Sequence, residues 1–282
     1  MSNIISAKWL KENLNNDKLI IVDCRFSLID KDYGKRSYES SHIEGAVRID
    51  IEKELSSPVT EHGGRHPLPC LRDLKNVFEN KGISNDSIVV AYDDGDLAGP
   101  SRLWWILKYL GHDEVYVLNG GIKAFEEIGG KVSNNIPLIE KGVFDIDLRE
   151  FMKVGMEYVR ERLYRDNVII VDCREESRYD GEFEPVDKKA GHIPNAKNYF
   201  WKNILNENNP ITLVKSEKEL KFYFNRLNNY DEVIVYCGSG ITASPVSLVL
   251  DSIGIDHKLY SGSFSDWISY EENEVCKKGD FI

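Results

Sequence analysis

A cysteine that follows an apolar run is the residue of this chain best suited to chemistry. The stretch VIVYCGSGITAS occupies residues 233–244, and four strand-forming residues precede Cys237. Gly238 and Gly240 permit backbone conformations that turn several N–H groups inward, and a helix is expected to begin just after the loop. Inward N–H groups and a helix N-terminus form an anion site. A thiol at such a site is expected to ionise near neutral pH, and its thiolate is a nucleophile.

The other four cysteines carry no comparable motif. Cys24 and Cys173 each end an apolar IVDCR run and are interpreted as buried small hydrophobic residues, and Cys70 and Cys276 have no motif around them. The count of five is odd, no CxxC occurs, and no Cys/His cluster has zinc spacing. We therefore expect neither a disulfide framework nor a metal site. Free cysteines are typical of a reducing compartment, so the expected location is the cytoplasm.

Composition indicates a globular protein with an acidic surface. Of the 282 residues, 41% are hydrophobic and 29% are charged, and the net charge is -11. A negative chain does not suit nucleic-acid binding, which needs a basic face. The N-terminus has no basic start followed by a long apolar run, and no apolar run approaches the length of a membrane span. The expected protein therefore has neither a nucleic-acid partner nor a membrane partner.

The chain contains an internal duplication. Three motifs of the first half return in the same order in the second half: IIVDCR at 20–25 and 169–174, SHIEGA at 41–46 and GHIPNA at 191–196, and SIVVAYDDGD at 87–96 and DEVIVYCGSG at 231–240. A period this long predicts two copies of one domain rather than a solenoid. We place the copies at residues 1–140 and 146–282, with the boundary in the low-pattern stretch 129–147.

Each copy alternates apolar strands with amphipathic helices. The runs LIIVD and VVAY of the first copy correspond to VIIVD and VIVY of the second. Helical patterns follow at residues 100–110 and 244–253. Short apolar runs bounded by turn formers are typical of parallel strands that are covered on both faces, so the predicted fold class is α/β.

The motifs resemble those of the rhodanese-type sulfurtransferases. CGSGITAS at 237–244 is similar to the active-site loop of that family, and three further segments fit its pattern: DCREESRYDGEFEP at 172–185, GHIPNAKN at 191–198 and YSGSFSDW at 260–267. The resemblance covers nearly the whole chain. It implies two tandem rhodanese-like domains, each a mainly parallel five-stranded sheet flanked by helices.

Alignment of the two copies shows a difference at the position of the loop cysteine. Asp93 in AYDDGD stands where Cys237 stands in VYCGSG. An aspartate has no sulfur to carry, so the copy at 1–140 is predicted to be catalytically silent and the copy at 146–282 to be catalytic.

The resemblance implies covalent sulfur transfer without a cofactor or metal. The Cys237 thiolate takes a sulfane sulfur from a small anionic donor, becomes a persulfide, and passes the sulfur to a thiol, cyanide or thioredoxin-like acceptor. The preferred donor is 3-mercaptopyruvate. Thiosulfate is the alternative, although thiosulfate-specialised members often carry basic residues where this loop has Gly238 and Ser239.

Donor binding is expected to use a cation and the loop backbone. Arg178 matches the arginine that contacts the anionic group of the donor in this family, and a guanidinium can hold a carboxylate with two parallel bonds. A second arginine, usual nine residues further on in the mercaptopyruvate enzymes, is replaced by Asp187, so Lys188 or Lys189 is expected to take its role. The loop residues expected to line the donor site are Gly238, Gly240, Ile241 and Thr242.

The family also implies a proton relay. Ser239 matches its serine, His66 in RHPLP its histidine, and Glu52 in DIE its acid. Such a relay would deprotonate the thiol and later protonate the carbon of the leaving group.

Two charged pairs are interpreted as structural. Asp23 with Arg25 and Asp172 with Arg174 occur in both copies, one of which is predicted to be silent. A role that both copies share is better explained by a buried ion pair that fixes a loop.

Two other classes of protein are weighed. A cysteine phosphatase needs an arginine six residues after its cysteine to bind phosphate, and this chain has Ala243 there. A sulfur-binding adaptor without turnover would need neither a reactive Cys237 nor Arg178, and it is kept as an alternative.

Overall fold

The computed structural model describes residues 3–207 and 210–280. The chain divides into two compact units, each of which takes one segment from the other half of the sequence. Unit 1 comprises Met1–Ser57, Pro69–Arg149 and Leu205–Val214, and unit 2 comprises Pro58–Leu68, Glu150–Ile204 and Lys215–Ile282. The segment that contains His66 thus packs with unit 2, and the boundaries at residues 140 and 146 stay a prediction.

Unit 1 is built around a parallel five-stranded sheet in the order β4-β2-β5-β6-β1. Its sheet strands are β1 (Ile4–Ile5), β2 (Leu19–Asp23), β4 (Val47–Arg48), β5 (Ile88–Tyr92) and β6 (Val115–Leu118). Two antiparallel pairs accompany it, β3 (His42–Ile43) with β7 (Val132–Ser133), and β11 (Leu205–Asn206) with β12 (Leu213–Val214). The helices are α1 (Ala7–Asn13), α2 (Tyr33–Ser40), α3 (Leu71–Asn80), α4 (Ala98–Tyr109) and α5 (Gly121–Glu127).

Unit 2 repeats this sheet with the corresponding order β10-β9-β13-β14-β8, again parallel throughout. Its strands are β8 (Lys153–Val154), β9 (Val168–Asp172), β10 (Lys197–Asn198), β13 (Glu232–Tyr236) and β14 (Lys258–Tyr260). The helices are α6 (Met156–Arg160), α7 (Glu176–Tyr179), α8 (Glu217–Tyr223), α9 (Ser244–Ser252) and α10 (Ser263–Trp267). Short 3-10 helices lie at Glu150–Met152, Trp201–Ile204 and Asn225–Asn229.

The apolar runs of the sequence form the central strands of both sheets. In unit 2, β9 and β13 lie side by side, and Ile170 and Ile234 belong to the same buried cluster as Trp267 of α10. In unit 1, Val90 and Tyr92 of β5 belong to the corresponding cluster. Strands covered on both faces explain why these runs are continuously apolar. The predicted α/β fold class, with a five-stranded sheet in each copy, is confirmed.

The two repeated ion pairs are buried, as predicted. Arg174 Nη2 lies 2.7 Å from Asp172 Oδ2, with both side chains fully buried, and it also donates to the carbonyl oxygen of Gly191 at 2.6 Å. In unit 1, Arg25 Nη2 likewise binds Asp23 Oδ2 and the carbonyl oxygen of Ser41, at 2.5 and 2.6 Å. Each arginine thus ties the end of a central strand to the turn that contains the repeated HI motif.

Helix length bears on the membrane question. Within residues 3–207 and 210–280, every helix is too short or too polar to cross a bilayer.

Candidate active site

The loop between β13 and α9, residues 237–243, holds the thiol of Cys237 and is called the cysteine loop below. Cys237 is 1% exposed, and the backbone N–H of Gly240 donates to its Sγ at 3.1 Å. Gly240 has φ +83°, a left-handed conformation that glycine adopts without strain. The loop then enters α9, and Ser244 Oγ donates to the carbonyl oxygen of Gly240 at 2.9 Å. The curled backbone expected after the strand is therefore present, with an N–H group on the sulfur.

The loop after the neighbouring strand β14 fixes the backbone of the cysteine. The N–H of Cys237 donates to Ser263 Oγ at 3.1 Å, and the carbonyl oxygen of Cys237 accepts from the N–H of Phe264 at 3.0 Å. The carbonyl oxygen of Gly238 accepts from the N–H of Ser265 at 3.0 Å. The SGSFSDW motif thus meets the cysteine loop because the two strands are adjacent in the sheet.

Ser239 and His66 lie together in unit 2. Ser239 Oγ is 2.7 Å from Nδ1 of His66, and both residues are buried. Such a pair can pass a proton between the imidazole and the hydroxyl.

The segment that carries His66 is fastened to the loops of unit 2 on both sides of Gly64. The N–H of Gly63 donates to Asp266 Oδ1 at 2.6 Å, and the N–H of Arg65 donates to Ser265 Oγ at 3.0 Å. Gly64 itself has φ +79°, and a Cβ atom there would lie 2.3 Å from the carbonyl oxygen of Gly262. Only glycine permits this close approach, which sets the position of His66 two residues later.

Two guanidinium groups face the loop at Gly238. A Cβ atom on Gly238 would lie 2.8 Å from Nη2 of Arg65 and 3.5 Å from Nη2 of Arg178. Burial lowers the pKa of Arg65, and the positive charge of Arg178 lowers that pKa further. The glycine leaves the space beside the cysteine to two cations, which suits an anionic ligand.

Arg178 was expected here from its motif, whereas Arg65 was not. Lys188 or Lys189 was expected as the second cation, but the side-chain atoms nearest to Gly238 belong to the two arginines. Both lysines instead line a cavity of about 530 Å³, together with Arg65, Asp187, Ser265 and Glu271. The available signal for Arg65 was its place directly before His66 in GGRHPLP.

Two carboxylates hold the arginines in place. Glu184 accepts from Nε of Arg178 at 3.1 and 2.9 Å through its two oxygens. Asp187 lies between the cations: its Oδ2 accepts from Arg178 Nη2 at 2.8 Å, and its Oδ1 accepts from Arg65 Nη1. From the sequence alone, Asp187 was interpreted only as the residue that replaces the second arginine of the family, and its contacts with Arg65 and Arg178 were not expected.

The remaining candidates are placed as follows. Ile241 is buried in the cysteine loop, and its carbonyl oxygen accepts from the N–H of Ser244 at 3.1 Å. Thr242 is half-buried in the same loop. Glu52 is half-buried in unit 1, where its N–H donates to Asp50 Oδ1 at 3.1 Å. Its part in a relay stays a prediction.

The corresponding loop of unit 1 has a different character. Asp93 follows β5, is 4% exposed, and accepts from the N–H of Gly95 at 2.7 Å through Oδ1. Burial raises the pKa of Asp93 well above its usual range, and the negative charge of Asp96 adds to the effect. A carboxyl group therefore occupies the place that a thiol occupies in unit 2.

Comparison with known proteins places both units in one family. The family model described as rhodanese-like domain matches residues 6–128 and again residues 156–270. The chain therefore belongs to the rhodanese-like family and carries two tandem copies of its domain.

Relatives match over nearly the full length of the chain. A protein of Pseudomonas aeruginosa described as "Probable 3-mercaptopyruvate sulfurtransferase" is 34% identical over 98% of each chain. A thiosulfate sulfurtransferase of Rattus norvegicus is 31% identical over 94% of this chain and 91% of its own. The crystal structure of a 3-mercaptopyruvate sulfotransferase from Escherichia coli superposes with a TM-score of 0.80 at 27% identity, covering 94% of this chain and all of that one. These relatives thus include proteins named for each of the two donors.

Proposed function

We propose that this protein is a sulfurtransferase that moves a sulfur atom from 3-mercaptopyruvate, through a persulfide on Cys237, to a thiol or cyanide. The observation that carries the proposal is the buried Cys237 sulfur, which accepts an N–H bond from Gly240 while Arg65 and Arg178 face the adjoining Gly238. The N–H group and the cations both favour an anionic sulfur and an anionic donor. The names of the relatives support the same chemistry.

In the first step, the Cys237 thiolate attacks the sulfur of mercaptopyruvate. A new S–S bond forms, the C–S bond of the donor breaks, and its electron pair stays on carbon as the enolate of pyruvate. Arg65 and Arg178 hold the carboxylate of the donor. Lys188 is retained as a further cation on the wall of the cavity.

Proton transfer in this step is assigned to Ser239 and His66. Their hydrogen bond of 2.7 Å connects the cysteine loop to an imidazole that can deliver a proton to the enolate carbon. Glu52 is proposed as the acid of this relay, and its support is the sequence motif DIE alone.

In the second step, a nucleophilic acceptor takes the outer sulfur. The acceptor attacks the persulfide, the S–S bond breaks, and the electron pair returns to Cys237 as a thiolate that the Gly240 N–H stabilises. A small thiol, cyanide or a thioredoxin-like protein would serve as the acceptor, and the cytoplasm stays the expected compartment.

The first copy of the domain is proposed to be catalytically silent. Asp93 cannot form a persulfide, and its neighbours Asp94 and Asp96 oppose any anionic sulfur at that position. Catalysis is therefore assigned to the second copy alone.

Thiosulfate is the second candidate donor. Two arginines facing Gly238 also suit a small sulfur-containing dianion, and a relative of 31% identity is named for thiosulfate. A sulfur-binding adaptor without turnover would place no requirement on Ser239 and His66.

Intact mass spectrometry of the reduced protein tests the proposal. After brief exposure to mercaptopyruvate, we expect the gain of one sulfur atom, absent in Cys237→Ser and retained in Cys70→Ser, which removes an exposed cysteine. A gain from thiosulfate alone would keep the persulfide and overturn the preferred donor. If neither donor adds sulfur, the remaining candidate function is a sulfur-binding adaptor without turnover.

A further inference from the structure

We propose that Asp187 is a specificity-determining residue, a carboxylate that offsets the charge of the two donor-binding arginines and so favours singly charged donors over doubly charged ones. The inference rests on the proposed function and concerns its donor site. Nothing in the sulfur-transfer chemistry itself requires an acid at this position.

Asp187 touches both cations through different oxygens. Its Oδ2 lies 2.8 Å from Arg178 Nη2, and its Oδ1 accepts from Arg65 Nη1. The side chain of Asp187 is 2% exposed, so water screens these contacts poorly. A donor anion at Gly238 would thus share its guanidinium groups with a carboxylate of the protein.

The backbone holds Asp187 in this position. The N–H groups of Val186 and Asp187 both donate to Glu184 Oε1 at 2.9 Å. Glu184 is itself bound by Arg178 and, at 3.3 Å, by Arg174 Nη1. The segment therefore wraps around the guanidinium of Arg178, and Asp187 is a built part of the site.

Asp187 makes the electrostatic potential at the donor site less positive, because its charge balances one of the arginines. The cluster contains three arginines, Arg65, Arg174 and Arg178, and three carboxylates, Asp172, Glu184 and Asp187. Their formal charges cancel. Without the charge of Asp187, the cluster would carry a net charge of +1 next to Gly238.

The charge of the donor decides how strongly it responds to that difference. Mercaptopyruvate carries one carboxylate, whereas thiosulfate is a dianion, and Coulomb energy is proportional to the charge of the ligand. Removing the negative charge of Asp187 should therefore favour the dianion by twice as much free energy as the monoanion. The ratio of the two rates then changes, even if both rates also shift for other reasons.

The test is the Asp187→Asn variant, with rates of persulfide formation on Cys237 measured for thiosulfate and for mercaptopyruvate in single-turnover experiments. We expect the thiosulfate-to-mercaptopyruvate ratio of the second-order rate constants of persulfide formation to rise about tenfold. Asp187→Glu, which keeps the charge, should return the ratio toward the wild-type value. Asp187→Ser provides a second neutral variant if Asp187→Asn does not fold.

Glu271→Gln is the matched control, because Glu271 is an exposed acid on the wall of the same cavity. It should leave the donor ratio within about twofold of wild type, since an exposed charge is screened. If Asp187 merely holds Arg178 in place, its loss lowers both rates together with the ratio unchanged, which overturns the proposal. An equal change in Glu271→Gln also overturns it. Failure of the proposed function is distinct, because the wild-type protein would then gain no sulfur from either donor.

Discussion

The hydroxyl of Ser239 lies 2.7 Å from Nδ1 of His66, although 173 positions separate the two residues in sequence. The serine belongs to the cysteine loop, and the histidine belongs to residues 58–68, which are part of unit 2, whereas the residues on either side of that segment belong to unit 1. A hydrogen bond thereby connects the cysteine loop to a residue that can carry a proton.

This relationship predicts a loss that depends on the donor. His66→Gln and Ser239→Ala should each lower kcat for mercaptopyruvate by roughly 10²–10⁴-fold, the usual contribution of a positioned acid or base. Thiosulfate should be affected much less, because sulfite leaves as a stable anion and no carbon must be protonated. Steady-state kinetics with both donors check this. The double variant should be no slower than the slower single variant, and losses that multiply would contradict a shared relay.

The position of Arg65 predicts a direct role in donor binding. Arg65→Met removes one of the two cations at Gly238, and charge-assisted hydrogen bonds contribute about 1.5–3 kcal/mol. The kcat/KM for mercaptopyruvate should therefore fall roughly 10- to 150-fold, chiefly through KM. Lys188→Met, which removes a cation from the cavity wall, should have a smaller effect. An equal loss in both variants would show that total charge, and not contact, matters.

Unit 1 offers a test of what the cysteine needs around it. Asp93→Cys in the Cys237→Ser background places a thiol after β5, but its neighbours are Asp94 and Asp96 instead of two arginines. Negative neighbours raise the pKa of a thiol, so we expect no gain of sulfur from either donor in intact mass spectra. Sulfur gained at residue 93 would mean that the loop backbone alone suffices.

The buried pair of Asp172 and Arg174 predicts a large effect on stability. Arg174→Met leaves Asp172 buried without its partner, and breaking such a pair costs about 3–5 kcal/mol. Urea denaturation should show this loss, and the double variant Asp172→Asn/Arg174→Met should recover part of it. A loss below about 1 kcal/mol would show that solvent reaches the pair.

The equivalent pair in unit 1 separates structure from catalysis. Arg25→Met should also destabilise the protein, because its partner Asp23 is fully buried. The folded fraction should still form the persulfide at the wild-type rate, measured well below the unfolding temperature. A slower reaction in the folded protein would give this pair a role beyond stability.

The sequence alone was enough to identify the elements that depend on neighbouring residues. The apolar runs around Ile170 and Ile234 predict central strands, because burial on both faces requires continuous apolar side chains. The glycines that follow Cys237 predict a curled loop, because left-handed backbone is a local property, and Gly240 adopts that conformation. The helix predicted at residues 100–110 begins at Ala98, two residues earlier, since proline is tolerated in the first turn of a helix.

Only the tertiary structure decided which charges meet at the loop. Arg65 and Asp187 are 122 positions apart, and neither belongs to a motif that predicts the other. Their contact arises because residues 58–68 pack with unit 2, where backbone bonds to Ser265 and Asp266 hold the segment. Ion pairs between distant segments depend on the path of the folded chain, and local residue preferences carry no information about that path.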